Sequence, residues 1–183
     1  VVTEEYQYDY NGNRISRTTD GNKVYYLNDT ILGDYTQVLE ELDASGNERC
    51  FYTRGSQLIS QERDQNTSYF MTDGHGSVRQ LTDSEGTVTD WYNYDPWGQI
   101  ASSEGETPNT YLYCGEQHDE TTGYYYLRAR YMDPATGTFT SMDTYQGNPF
   151  DPISLNKYLY ASANPIMNID PSGHFTLCEA VVA

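Results

Sequence analysis

The feature that most constrains the fold is a short turn sequence, Asp-x-x-Gly, that recurs along the whole chain. An aspartate that opens a turn can accept a hydrogen bond from the backbone amide two residues on. The glycine supplies the positive φ that closes the turn, so the chain is expected to reverse direction at each copy. The copies, including two with one extra residue, are Asp9–Gly12, Asp43–Gly46, Asp73–Gly76, Asp83–Gly86, Asp95–Gly98, Asp119–Gly123, Asp133–Gly137 and Asp170–Gly173.

The segments between these turns alternate in polarity with a period of two, most clearly in residues 87–94 and 124–131. Such runs bounded by turn residues are typical of β-hairpins. We therefore predict an all-β fold of consecutive antiparallel hairpins. An open array of hairpins leaves sheet edges unpaired, so the segment is expected to be the end of a longer, spiralling sheet rather than a closed barrel.

Two stretches are expected to lack strands. Residues 101–109 are polar and show no periodicity, which predicts a loop. Residues 144–166 carry Pro149, Pro152 and Pro165 among Gly147, Asn148 and Asn156, and proline cannot donate to a central sheet ladder. This second stretch is predicted to be irregular, with room for one helical turn.

The composition excludes several classes of function. The formal net charge of −17 opposes binding to nucleic-acid phosphates. The longest apolar runs are too short for a transmembrane helix, and no signal peptide is expected because Val1 opens directly on polar sequence. The 19 tyrosines argue against disorder, because their rings can cover a half-buried pleated surface.

Longer motifs bring a resemblance to a known family. Residues 69–83 hold Asp73-Gly74-His75-Gly76-Ser77-Val78-Arg79, and residues 115–143 hold Leu127-Arg128-Ala129-Arg130 followed by Phe139-Thr140-Ser141-Met142-Asp143. Residues 156–174 end on Asp170-Pro171-Ser172-Gly173-His174. Together these segments resemble the RHS/YD-repeat proteins, and in particular their RHS repeat-associated core. Met132 and Met142 depart from the family pattern, in which tyrosine and proline are commoner.

The resemblance implies a division into YD-repeat hairpins (residues 1–68), the RHS core (residues 69–174) and the start of a variable cargo region (residues 175–183). In this family the repeats form a hollow shell, and the core caps or plugs one end. The expected partners are the upstream YD repeats and the chain's own C-terminal toxin. The same resemblance implies a protein, of bacterial origin, that is secreted or delivered to a cell surface; the animal teneurins use such a shell for adhesion.

In the self-cleaving members of the family, an arginine and two aspartates cut the chain in the manner of an aspartic protease. By motif these residues correspond to Arg130, Asp143 and Asp170, and Pro171 and Gly173 belong to the cleavage motif. The cut would fall between His174 and Phe175, once and in cis. Two carboxylates held close together share one proton, which gives a base and an acid side by side. Arg128 has the same alternation parity as Arg130 and is a second candidate for the arginine.

Other interpretations remain open at the level of sequence. Asp143 and Asp170 could serve only as turn and loop residues, and the hairpins could form a non-catalytic module that binds glycans or a cell-surface protein. His75, His118 and His174 stand alone, without further ligands at metal-binding spacing. The three cysteines are too few and too far apart for a disulfide framework or a zinc site. No metal and no cofactor are therefore expected.

Overall fold

The structure, a computed structural model, describes residues 2–31, 35–174 and 176–178; of Cys178 it describes the backbone only. Its described residues contain sixteen β-strands, three short 3₁₀ turns and no α-helix, so the prediction of an all-β fold is confirmed. No helix among them is long and apolar enough to cross a membrane.

Ten consecutive strands form one antiparallel sheet in which each strand pairs with the next along the chain. They are β1 (Glu4–Tyr8), β2 (Arg14–Thr19), β3 (Asn22–Asp29), β4 (Gln37–Leu42), β5 (Glu48–Arg54), β6 (Leu58–Arg63), β7 (Asn66–Thr72), β8 (Val78–Thr82), β9 (Val88–Tyr94) and β10 (Ile100–Glu104). The expected boundary at residue 68 falls inside β7, and the sheet continues through it. The division into repeats and core remains a prediction.

A second antiparallel sheet of four strands follows: β11 (Gln117–Asp119), β12 (Tyr124–Leu127), β13 (Arg130–Asp133) and β14 (Thr138–Phe139). The chain ends in a short pair, β15 (Asn168–Ile169) with β16 (Leu177–Cys178). The 3₁₀ turns span Tyr113–Gly115, Pro152–Leu155 and Ala161–Ala163. Residues 144–166 are irregular as predicted, with two of these turns in place of one.

The repeated turn forms as the sequence predicts, with one addition. In the turn at Asp83, the side-chain Oδ1 accepts hydrogen bonds from the amides of Glu85 and Thr87, both at 2.9 Å. The amide of Gly86 donates to the Asp83 carbonyl at 3.1 Å. The turns at Asp9, Asp43, Asp73 and Asp95 repeat this arrangement. The bond to the fourth residue was not anticipated, and it ties the aspartate to the start of the returning strand.

The expectation of a loop at residues 101–109 was wrong for its first part. Residues 101–104 lie in β10, which pairs with β9 at the edge of the large sheet. All five β10 side chains are exposed, so this strand is held by its backbone ladder and needs no apolar periodicity. The remaining residues, 105–109, form the predicted loop.

The segment before the small sheet packs on the large sheet through tyrosines, and a buried ion pair joins the two sheets. Tyr111 packs edge-on against Tyr52 of β5, with ring centroids 5.0 Å apart. The guanidinium of Arg14 is almost fully buried and pairs with the Asp119 carboxylate, which also accepts a bond from Arg17 at 3.0 Å. Charges removed from water need such partners. This junction fixes the small sheet, which carries the candidate site, against the first strands of the large one.

Candidate active site

The candidate site is built on two stacked turns. The first is the turn between β12 and β13, where Leu127 pairs with Arg130 and Arg128 adopts a positive φ of 57°. The second is the turn that begins at Asp170. The amide of Ala129 in the first turn donates to the Ser172 carbonyl in the second, at 3.3 Å. The stacking brings the two motifs, far apart in sequence, into direct contact.

Arg130 lies at the centre of this arrangement. Its Nη2 is 2.9 Å from Oδ2 of Asp143 and 3.7 Å from Oδ2 of Asp170. The guanidinium stacks over the Phe139 ring, with 3.6 Å between Cζ and the ring centroid. Only 5% of the Arg130 side chain is exposed. The structure thus brings all three charged residues that the sequence singled out around one guanidinium nitrogen.

Backbone pairing brings Asp143 to the site. The Phe139 amide donates to the Tyr158 carbonyl at 2.8 Å, and the Asp143 amide donates to the Lys157 carbonyl at 3.0 Å. The Lys157 carbonyl also accepts a bond from Nη1 of Arg130 at 3.0 Å. The chain between residues 143 and 157 therefore runs away from Arg130 and back, and the backbone of Lys157 lines the site.

Asp170 opens a buried version of the repeated turn. Its Oδ1 accepts hydrogen bonds from Ser172 Oγ at 3.0 Å and from the His174 amide at 3.2 Å. The residue is 2% exposed. Burial raises the pKa of Asp170, and the bond from Ser172 and the charge of Arg130 oppose that rise. Burial lowers the pKa of Arg130, and the negative charges of Asp143 and Asp170 oppose that change.

The peptide group that precedes the expected cleavage site is held at both ends. The Gly173 carbonyl accepts a hydrogen bond from Nε of Arg130. The His174 amide donates to Asp170 Oδ1 and also to Ser172 Oγ, at 3.0 Å. The His174 ring is about half exposed, with Nδ1 3.5 Å from Asp143 Oδ1. Phe175, the other residue of the expected cleavage site, lies outside the described residues.

Arg128 has a different environment from Arg130. Its Nη1 donates to both carboxylate oxygens of Glu116, each at 2.8 Å, and to the Pro171 carbonyl at 2.5 Å. Its Nε donates to the Thr36 carbonyl at 3.0 Å. The parity argument for Arg128 fails because this residue forms the turn itself and does not continue the strand. Arg128 holds the Asp170 turn in place by its hydrogen bond to the Pro171 carbonyl.

Sequence reasoning missed two contributors to the site. Burial raises the pKa of Glu116, and the charge of Arg128 opposes that rise. Glu116 balances the positive charge of Arg128 beside the Asp170 turn. The sequence signal for Glu116 was that a charged residue lies within residues 115–143, one of the segments that carry the family resemblance. His174 was noted only as a cleavage-site residue, and nothing in the sequence placed its ring beside Asp143.

The site offers acid–base chemistry from its own side chains. Asp143 forms the closer ion pair with Arg130, whereas burial raises the pKa of Asp170. Two carboxylates whose environments differ in this way are suited to act as base and acid. Within the described ranges, no group of three or more His, Cys, Asp or Glu side chains is placed to hold a metal ion. The catalytic roles of the three residues remain a prediction.

Comparisons with known proteins agree with this architecture. The chain is 39% identical to the tRNA nuclease WapA of Bacillus subtilis over 175 residues, which cover 93% of the chain and 7% of that protein. It is 32% identical to the toxin protein Tse5 of Pseudomonas aeruginosa over 58% of the chain and 8% of that toxin. The chain thus spans less than a tenth of the length of these relatives.

A solved structure has the same fold. The crystal structure of TcdB2-TccC3 superposes with a TM-score of 0.71 over 93% of the chain and 9% of that structure, at 21% sequence identity. The model of the Teneurin YD-shell family matches residues 5–166. This match extends from β1 of the large sheet through the small sheet that carries Arg130, so the chain belongs to the YD-shell family.

Proposed function

We propose that this chain is the end segment of a YD shell that encloses a C-terminal toxin and frees it by cutting its own backbone after His174. The observation that carries the proposal is the contact of one nitrogen, Nη2 of Arg130, with both Asp143 and Asp170. The same arginine holds the Gly173 carbonyl, one residue before the bond to be cut.

Two features support the place of the segment in a larger shell. Within the described part of the chain, β1 and β10 each pair with one neighbour, so each presents a sheet edge to which further strands can pair. The irregular segment between the two aspartates also exposes large apolar side chains, among them Phe150 at 95%. Side chains of this kind favour contact with other parts of the same long protein.

The relatives support a toxin as cargo. One is described as a tRNA nuclease and another as a toxin protein, and this chain matches less than a tenth of each. The enzymatic activity of such a protein would reside outside this segment, in the variable region that starts at residue 175. We propose the same organisation here, with delivery of the protein outside the cell that makes it.

The proposed reaction is hydrolysis of the His174–Phe175 peptide bond. Asp143, ionised beside Arg130, takes a proton from a water molecule as its oxygen bonds to the His174 carbonyl carbon. Asp170, protonated, donates to the carbonyl oxygen. When the tetrahedral intermediate collapses, the carbon–nitrogen bond breaks and Asp143 passes its proton to the Phe175 nitrogen. Asp170 regains a proton from one hydroxyl of the intermediate, and the carboxylic acid so formed on His174 ionises in water. The products are the His174 carboxylate and a free amine on Phe175, with one water consumed.

Intact-mass measurement tests the proposal. The folded chain is expected to convert into residues 1–174 and the nine-residue piece 175–183. Asp143→Asn and Asp170→Asn are each expected to abolish this conversion. Asp83→Asn is the matched control, because Asp83 opens an equivalent turn in which its Oδ1 accepts backbone amide bonds. This control should cut at the wild-type rate.

Three outcomes would contradict the proposal. Cutting that persists in both site variants would exclude the two carboxylates. New N-termini at Pro96, Pro134, Pro152 or Pro171 would show acid breakage of Asp-Pro bonds in place of catalysis. A wild-type chain that stays whole would favour the other prediction from the sequence, a non-catalytic binding or adhesion module.

A further inference from the structure

His174 touches both aspartates of the site, each through a different group. Its backbone amide donates to Asp170 Oδ1 at 3.2 Å, and its ring Nδ1 lies 3.5 Å from Asp143 Oδ1. The ring is 48% exposed, so solvent reaches it. The residue that would carry the new C-terminus therefore also faces the carboxylate proposed to activate water.

The consequence depends on how Asp143 is already engaged. Its Oδ2 pairs with Arg130 at 2.9 Å, and its Oδ1 accepts the Tyr145 amide at 2.9 Å. A protonated His174 ring would add a second cation, on the Oδ1 side. A carboxylate between two cations is a poor base, because opposite charges nearby favour its ionised form. A neutral ring places no second positive charge beside Asp143.

We propose that His174 is a positioning residue that makes the self-cleavage sensitive to pH, with the protonated ring restraining Asp143 and the neutral ring releasing it. This regulation rests on the proposed function. The ring pairs with Asp143, which follows β14, and Asp143 pairs in turn with Arg130 of β13. Asp170 accepts the backbone amide of His174. Lys157 contributes its backbone carbonyl to Asp143, and its ammonium group bonds to the Tyr145 carbonyl.

The first test compares the cleavage rate of His174→Gln with that of wild type between pH 5 and pH 8. Glutamine keeps a polar side chain but does not titrate, and histidine changes charge within this range. The ratio of the variant rate to the wild-type rate should rise by about tenfold or more as the pH falls from 8 to 5. Because both chains retain Asp143 and Asp170, effects common to both cancel in the ratio.

The second test does not require cleavage. In the uncut Asp170→Asn background, the His174 ring is titrated by NMR with and without Asp143→Asn. Removing the Asp143 charge should lower the midpoint of the His174 titration. The two other histidines of the chain, His75 and His118, lie on different elements and are internal controls whose midpoints should not move.

The outcomes separate the two proposals. A chain that cuts with a rate ratio independent of pH overturns the role of His174 and leaves the self-cleavage intact. A His174 midpoint that ignores Asp143→Asn likewise overturns the pairing. A wild-type chain that never cuts at any pH overturns the proposed function, and the regulation with it.

Discussion

Gly173 provides the sharpest test of the stacked turns. It has a positive φ of 70°, and a Cβ placed on it would overlap the Leu127 carbonyl oxygen and lie 3.0 Å from the Arg130 amide nitrogen. Both neighbours are backbone atoms of the opposing turn, so they cannot move aside as the end of a side chain can. We expect Gly173→Ala to separate the two turns, either locally or throughout the site.

The size of the effect follows from two contributions. An alanine at positive φ costs about 1–2 kcal/mol relative to glycine. Forcing a methyl group into closely packed surroundings costs a further ~1–3 kcal/mol. Gly86 isolates the first contribution, because it has a φ of 82° in an equivalent turn and nothing lies within 4 Å of its Cβ position. Gly173→Ala should therefore lower the free energy of unfolding by about 1–3 kcal/mol more than Gly86→Ala.

Equilibrium urea unfolding, followed by intrinsic fluorescence, measures this difference. Under conditions in which both variants are folded, Gly173→Ala should also slow the self-cut, because the Gly173 carbonyl moves away from Arg130. Gly86→Ala should cut as wild type does. Equal unfolding free energies for the two variants would refute the stacking of the Asp170 turn on the Arg130 turn.

Two further predictions concern buried charge. Arg14→Met should lower the free energy of unfolding by about 3 kcal/mol, because it removes the principal partner of buried Asp119, whereas exposed Arg49→Met should stay within ~0.5 kcal/mol. Because burial raises the pKa of Asp170, the folded chain keeps that proton to higher pH than the unfolded chain, and stability falls as the pH rises through this interval. Asp170→Asn should lack this fall, so its stability relative to wild type should increase with pH in urea unfolding series; a constant difference across pH would contradict the assignment.

The sequence predicted well what depends on neighbouring residues. The five Asp-x-x-Gly turns of the large sheet are each closed by hydrogen bonds among five consecutive residues, so their geometry follows from local sequence alone. The alternation between the turns likewise predicted paired strands. β10 was not predicted because all of its side chains are exposed, so its sequence does not alternate between apolar and polar residues.

The site was predictable only in part, because its geometry depends on contacts between distant segments. The motif resemblance named Arg130, Asp143 and Asp170, but only the structure shows that backbone bonds to Lys157 place Asp143 beside the arginine. Alternation suggested Arg128 as a second candidate, because parity cannot reveal that the hairpin turns at that residue. The contact between the His174 ring and Asp143 likewise depends on how two distant turns approach each other.

The Asp170 turn differs from the turns at Asp9 and Asp43 in what surrounds its carboxylate. At Asp9 and Asp43 the residue four positions on is asparagine, whose side chain donates to the second carboxylate oxygen at 2.9 Å. That bond lowers the pKa of both aspartates. At Asp170 the corresponding residue is His174, and its ring approaches Asp143 instead.

The turn thus occupies Oδ1 of Asp170, and Oδ2 faces Arg130 across 3.7 Å in a buried setting that raises the pKa. Because Oδ1 already accepts two hydrogen bonds, a proton on Asp170 is best placed on Oδ2, the oxygen on the side of Arg130 and Asp143. The turn therefore lowers the pKa of the carboxylate at Asp9 and Asp43, whereas burial raises it at Asp170 and leaves Oδ2 on the side of Arg130. Burial against the Arg130 turn, and the absence of an asparagine at the fourth position, distinguish Asp170 from Asp9 and Asp43.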